Sequence, residues 1–324
     1  MKRVGSPVPS PDGKWVVFSV TEPSYDPTKQ VSDLWIVPAD GSAKPRRLTF
    51  TKGSESGVAW SPDSRRIAFS AKREGDDVAQ VYVLDLGGGE AIRMTSLETG
   101  AESPRWSPDG KSILFNSLVY PADGVDRKAR KYNALVYNDF PIRHWDRWLD
   151  ERHAHPFVQA AEPGAKPRDL FSGTKVAFQA GFGAELGNTG EELDAIWTPD
   201  GASIVFAATL NRNAAAYDEV VFHLFRTKVD GGEPEKLTGG EGSYGKPAFS
   251  PDGKNLYAVF NPSTDKIYNL NRIARFVWPA MGKLAVITAS FDRSADSFEV
   301  SPDGRTVYVL AEEHGHDKIF AVPA

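Results

Sequence analysis

A Ser-Pro-Asp-Gly tetrapeptide, or a close variant of it, occurs six times in the chain. The copies are Ser10–Gly13, Ser61–Ser64, Ser107–Gly110, Thr198–Gly201, Ser250–Gly253 and Ser301–Gly304. Their prolines stand at 11, 62, 108, 199, 251 and 302, giving spacings of 51, 46, 91, 52 and 51 residues, so only the third interval is irregular. Pro presets φ for the first corner of a type I turn, Asp bonds its own backbone, and Gly accepts the left-handed conformation that lets the chain reverse. Such a turn at a near-constant period marks a propeller or another repeat array.

Each copy sits in the same surroundings. A short apolar strand ending in an aromatic precedes the turn, as in Val58-Ala59-Trp60, Arg105-Trp106, Ile196-Trp197 and Ala248-Phe249. A second strand leaves it: Trp15–Phe18, Ile67–Phe69, Ile113–Phe115, Ile204–Phe206, Leu256–Val259 and Val307–Leu310. A third strand follows at Leu34–Val37, Val81–Leu84 and Leu224–Thr227, then a turn rich in Asp and Gly, then a closing strand ending in Leu-Thr or similar. The closers are Leu48-Thr49, Met94-Thr95, Leu170-Phe171, Leu237-Thr238 and Ile287-Thr288. With 29 Gly and 23 Pro in 324 residues, one residue in six is a turn-former, which excludes a mostly helical protein. Four β-branched or aromatic strands per repeat make a blade. The expected fold is therefore all-β, a β-propeller of four-stranded antiparallel blades in one domain over residues 1–324. The blades are expected at about 4–50, 57–96, 103–172, 193–239, 246–290 and 297–324, the last incomplete. Solenoid repeats are shorter, and the Gly-His and Trp-Asp signatures of WD repeats are missing.

The irregular interval holds an insertion at 120–154 within blade three, between the strand at Ile113–Phe115 and a third strand expected at His155–Gln159. Asp139 suits an N-cap and Pro141 a first helical turn, so residues 140–150 are expected to form a short helix, its aromatics buried against a neighbour. Strands within a blade alternate in direction. The insertion and the Gly-rich linker Gly181–Glu192 are therefore expected on one face and the Ser-Pro-Asp-Gly turns on the other. Long irregular loops on a rigid scaffold are where function concentrates.

Composition narrows the function classes. A net charge of −5, with Lys and Arg scattered, argues against a nucleic-acid partner. The longest apolar runs, such as Ala285-Val286-Ile287, are far too short to cross a bilayer. No secretory signal precedes Val4, yet a removed leader would leave the same picture, so cytoplasm and periplasm stay open. There is no Cys, hence no disulfide, thiol nucleophile or thiolate metal site. His153-x-His155 and His314-x-His316 each put two imidazoles on one side of a strand, but without a third ligand nearby no metal or other cofactor is expected.

The Ser-Pro-Asp-Gly repeats with their Leu-Thr closers resemble the propeller of the prolyl oligopeptidase family of serine peptidases, and also the propeller of TolB. The stretch Arg143-His144-Trp145-Asp146-Arg147-Trp148 is similar to one in the dipeptidyl peptidase V and acylaminoacyl-peptidase-like members. That resemblance implies a seven-bladed parent, with a C-terminal α/β-hydrolase domain bearing a Gly-x-Ser-x-Gly elbow and downstream Asp and His. This chain has no such elbow. Its nearest string, Glu241-Gly242-Ser243-Tyr244-Gly245, begins with Glu and is placed in a blade linker, so Ser243 is read as loop chemistry. The expectation is a fragment, inactive by itself, whose partners are its own hydrolase domain and peptide substrates. The alternative is a TolB-like protein-binding propeller without catalysis.

The resemblance further implies that the propeller caps the active site, admits small peptides and presents carboxylates to the free amine of a substrate. Glu191 and Glu192 are the candidates for that role, against a solvated acidic pair on a loop. Asp146 is a rival anchor, three residues from Arg143 and so equally a surface ion pair. Trp145 and Trp148 are candidates for an apolar substrate pocket, for packing on the hydrolase domain, or for packing on the propeller itself.

Overall fold

The computed structural model describes every residue except Met1, 27–29, Lys52, 122–126, Asn133, 138–139, Ala180, 188–189, Glu241 and Ile267. The fold is a β-propeller built of six consecutive antiparallel sheets. It divides into two compact units, Met1–Val119 with His155–Asp169, and Tyr120–Ala154 with Leu170–Ala324. The first contains blades one and two and most of blade three, the second the insertion with His153 and Ala154 and blades four to six.

In the first unit, blade two runs Glu55–Trp60, Arg66–Ala71, Gln80–Asp85 and Ile92–Arg93. Blade three runs Glu102–Trp106, Ser112–Val119, His153–Ala160 and Arg168–Asp169. Blade one begins with two short segments, Arg3–Val4 and Val8–Pro9, which both pair with Trp15–Glu22. In the second unit, blade four is Ala195–Trp197, Ser203–Thr209, Phe222–Lys228 and Glu235–Lys236. Blade five is Gly242–Phe249, Asn255–Pro262, Arg272–Val277 and Ala285–Val286. Blade six shows three strands, Ser297–Val300, Thr306–Glu313 and His316–Pro323.

The repeated tetrapeptide is a self-contained hydrogen-bonded turn. In the second copy the Ser61 hydroxyl donates to Asp63 Oδ1 (2.5 Å) and accepts from the Arg66 amide (2.9 Å), while Asp63 Oδ1 also accepts from Arg65 N (3.1 Å). The same three bonds recur around Ser107/Asp109, Thr198/Asp200, Ser250/Asp252 and Ser301/Asp303. The serine or threonine hydroxyl, followed by the chain's other donors, holds each of these aspartates below the usual carboxylate range. The fourth residue closes the turn in the left-handed region, at φ 69° for Gly110 and 59° for Ser64.

The closing Leu-Thr has an equally specific reason. The fourth strand is too short to pair with the whole third strand, so the threonine hydroxyl supplies the acceptor that backbone pairing omits. Thr49, Thr95, Thr238 and Thr288 accept from the buried amides of Leu34, Val81, Leu224 and Ile273 at 2.8–3.0 Å. Cores form where neighbouring blades interleave. Within the first unit Ile67, Phe69 and Leu84 pack with Val17, Leu34 and Ile36. Within the second, Leu256, Ala258 and Phe260 pack with Val205 and Leu224.

Two local expectations are corrected. Residues 140–150 do not form a helix: Arg143–His144 and Arg147–Trp148 pair as a hairpin, with Arg143 opposite Trp148. Its two-residue turn puts Trp145 at φ 51°, a conformation no right-handed helix contains. Asp139, the expected N-cap, lies outside the described residues. The aromatics are not buried either, Trp145 being 82% and Trp148 61% exposed. An eleven-residue helix with apolar groups on several faces has nothing to bury them against, and at that length it is marginal, whereas a hairpin forms cross-strand pairs. Among the described residues of the insertion, the helical content is one 3-10 turn, Arg127–Ala129. Ser243 lies not in a linker but within the first strand of blade five. Among the described residues no helix is long and apolar enough to cross a membrane.

Candidate functional site

The linker before blade four folds into a small hairpin, Glu185–Leu186 against Glu191–Glu192, in which Glu185 faces Glu192 and Leu186 faces Glu191. Gly190, at φ 142°, serves its turn, and the Gly187 amide donates to the Gly190 carbonyl (2.8 Å). Successive side chains on a strand point to opposite faces. Glu191 and Glu192 therefore cannot converge on one ammonium group, and the two carboxylates that share a face are Glu185 and Glu192.

Glu191 is turned inward, its side chain only 3% exposed. It accepts from the Ala154 amide (2.9 Å), lies 3.1 Å from His153 Nδ1 and is ion-paired with Arg212. Burial brings the Arg212 guanidinium down to about 10, still charged at neutral pH. Burial, then the Arg212 charge, pushes His153 down to about 4 against the pull of Asp150, so the imidazole is neutral beside a compensated carboxylate. The hairpin is thereby fastened at one point to the end of the insertion and to the loop after Thr209.

Glu192 faces the other way. It lines a cavity of about 350 Å³ within the second unit, together with Glu185, Asp194, Asp296, Lys246, Phe222, Ser243, Tyr244, Asn261 and Asn271. Several of these groups are already committed. The Lys246 ammonium donates to the Asp296 carbonyl (2.7 Å), Asn271 Nδ2 to Asp296 Oδ1 (2.9 Å) and Asn261 Nδ2 to Asn271 Oδ1 (2.8 Å). The Ser243 hydroxyl accepts from the Phe222 amide (2.9 Å), which ties blade four to blade five and is a structural use of a serine with no elbow around it. Among the described residues four carboxylates and one lysine line this cavity, which gives its lining an acidic composition.

The insertion hairpin presents a different surface. The Arg143 guanidinium lies 6.0 Å from the Trp148 ring centroid, Tyr137 packs 6.4 Å from the same ring, and the Tyr137 hydroxyl donates to the Leu149 carbonyl (2.7 Å). Arg143 and Asp146 form no ion pair among the described residues. Glu151 accepts from Arg127 (2.6 Å) and Arg130 (2.7 Å), bracing the base of the insertion. His153 is engaged by Glu191, and His155 Nδ1 lies 2.9 Å from the Asp169 carboxylate. His314, at φ 54°, forms the turn between the last two strands. Among the described residues no three His, Asp or Glu side chains gather into a group able to hold a metal.

Comparison with known proteins gives this surface its context. Residues 2–125 match the family model described as TolB beta propeller domain. Dipeptidyl-peptidase 5 of Porphyromonas gingivalis is 26% identical over 327 residues, an alignment that takes in 99% of this chain and 46% of that protein. Through its propeller the chain is related to dipeptidyl-peptidase 5. Its fold is shared with acylaminoacyl peptidase of Pyrococcus horikoshii, at TM-score 0.68 and 19% identity over 99% of this chain and 45% of that one. It is shared too with the β-propeller domain of the Trilobed protease from Pyrococcus furiosus, at TM-score 0.63 and 15% identity over 99% and 82%. The chain thus spans less than half the length of the dipeptidyl peptidase it matches.

Sequence reasoning reached Glu192 but paired it with its chain neighbour. A sequence signal for pairing with Glu185 is present: the residue types of Gly187-Asn188-Thr189-Gly190, between Glu185-Leu186 and Glu191-Glu192, are those of a hairpin turn. Nothing local points to Arg212 or Asp296, which the fold brings in from elsewhere in the chain.

Proposed function

We propose that this chain is the non-catalytic propeller of a serine exopeptidase, dipeptidyl or acylaminoacyl in type, which gates and helps anchor small peptides for an α/β-hydrolase domain. Its 324 residues contain no Gly-x-Ser-x-Gly, so the chemistry belongs to another part of the full-length protein. The observation that carries the anchoring role is the acidic cavity, where Glu192 and its cross-strand partner Glu185 face one space. A peptide's free ammonium placed there donates charge-assisted hydrogen bonds to carboxylate oxygens. The exposed Trp145, Trp148, Phe140 and Ile142 of the insertion supply an apolar surface for the hydrolase domain or for the peptide itself.

The second reading is a TolB-like propeller that binds proteins without catalysis, favoured by the TolB-type family model on residues 2–125. The peptidase reading is preferred because similarity to a dipeptidyl peptidase runs through blades four to six as well.

The test is Glu192→Gln in the full-length protein, assayed on Ala-Ala-aminomethylcoumarin and on its Nα-acetyl derivative. Loss of one charge-assisted contact is expected to raise KM for the free-amine substrate about tenfold, equivalent to about 1.4 kcal/mol, with kcat and the acetylated substrate little changed. An unchanged KM for the free-amine substrate excludes the anchor.

A further inference from the structure

The geometry points to Glu191 as the positioning residue of the acidic cavity: its buried contacts with Ala154, His153 and Arg212 set the hairpin on which Glu185 and Glu192 are carried. This inference rests on the reading of Glu192 as an amine anchor and goes beyond it by assigning its neighbour the opposite duty.

Three observations support it. The hairpin is two residues per strand, too short to hold its place by backbone pairing alone. Its inward carboxylate is nearly sealed from solvent and meets a backbone amide at 2.9 Å, an imidazole at 3.1 Å and a guanidinium, each from outside the hairpin. A buried carboxylate so held is costly to displace, because moving it would strand the Arg212 charge in a dry environment. Strand alternation then converts a fixed Glu191 into a fixed Glu192 on the far face. Gly187 adds to the constraint, since a Cβ there would fall 2.0 Å from Glu192 Oε1, so glycine leaves the carboxylate room to lie back over the turn.

A further consequence concerns the insertion. His153 and Ala154 open the strand into which the insertion runs, so the carboxylate that orients the cavity is held where the insertion rejoins its blade. Contacts made by the insertion are thereby coupled to the acidic pair through one side chain.

The experiment compares Glu191→Ala, Glu191→Gln and Glu192→Gln in the full-length protein, with hydrogen exchange of the 185–192 amides measured beside the kinetics. Glu191→Ala is expected to speed exchange of those amides at least tenfold and to raise KM for Ala-Ala-aminomethylcoumarin about tenfold, with kcat within about twofold and the Nα-acetyl substrate unaffected. Glu191→Gln keeps an acceptor for the Ala154 amide and is expected to restore part of both effects. It also serves as the informative variant if Glu191→Ala fails to fold, a failure that faster exchange throughout blades one and two would reveal. Wild-type exchange rates for 185–192 in either Glu191 variant that folds overturn the inference, as does an unchanged KM in Glu191→Ala where Glu192→Gln raises it. If Glu192→Gln leaves KM unchanged, the amine-anchor reading fails, and the exchange rates still decide whether Glu191 fixes the hairpin.

Discussion

Replacing Thr95, the closing threonine of blade two, separates two explanations of the repeated Leu-Thr. Thr95 is buried, and its hydroxyl accepts from the Val81 amide (2.9 Å) and donates to Gln80 Oε1 (2.7 Å). Thr95→Val keeps the shape and removes both bonds. The Val81 amide, completely buried, then has no acceptor, at about 1–3 kcal/mol. Gln80 Oε1 keeps the Leu97 amide at 3.2 Å and loses less, about 0.5 kcal/mol. The sum is about 1.5–3.5 kcal/mol. Thr95→Ser keeps the hydroxyl and loses one buried methyl, about 0.8 kcal/mol. A hydrogen-bonded closer therefore predicts that valine costs more than serine, whereas a purely packed closer predicts that valine is neutral and serine the costlier change. Urea unfolding of the two variants, followed by tryptophan fluorescence, gives the order directly. Equal or smaller loss for Thr95→Val than for Thr95→Ser would falsify the hydrogen-bond account, which would then need replacing at Thr49, Thr238 and Thr288 as well.

Further outcomes follow from burial. His223 is buried in blade four, and desolvation, with the Lys236 charge, pushes it from 6.5 down to about 4. The unfolded chain takes up that proton first as pH falls. The contribution of His223 is thus complete above pH 6.5 and is lost between pH 6.5 and 4, at up to about 1.4 kcal/mol per pH unit. His223→Asn is expected to show a shallower loss of stability than wild type from pH 6.5 to 4.5, and parallel curves would refute the assignment. Trp145→Ala and Trp148→Ala, at exposed positions of the insertion, are expected to alter stability by no more than about 0.5 kcal/mol. A thermal midpoint several degrees lower in either variant would mean that the indole is packed in solution.

The blades were legible because their turns are chemical statements. Ser, Pro, Asp and Gly each have a separate reason to stand where they do, and six repetitions leave the register of the second strand little freedom. The first strands were read only in part. Those of blades two, three and five were recognised from Val58, Arg105 and Ala248, yet they start at Glu55, Glu102 and Gly242. Each carries a bulge, with Gly57, Ser103 or Lys246 in the left-handed region three residues before the aromatic. A bulge shifts the side-chain alternation by one residue, and a search for period two stops there. The same blindness moved Ser243 out of its strand. At the insertion, Asp139 and Pro141 are sound helix-start signals, but no neighbouring apolar face is available to make a helix worth forming.

What the sequence by itself determined is the repeat: the all-β propeller, its six blades, the place of the insertion and the acidic character of the linker before blade four. These follow from contacts between residues a few positions apart, where the spacing of residue types is the geometry. The duties of Glu191 and Glu192 were decided by tertiary structure. In the chain they are identical neighbours. Only pairing with Glu185–Leu186 sends them to opposite faces, and only the meeting of His153, Ala154 and Arg212, brought together from 38, 37 and 21 positions away, makes one of them a buried brace while the other faces the cavity.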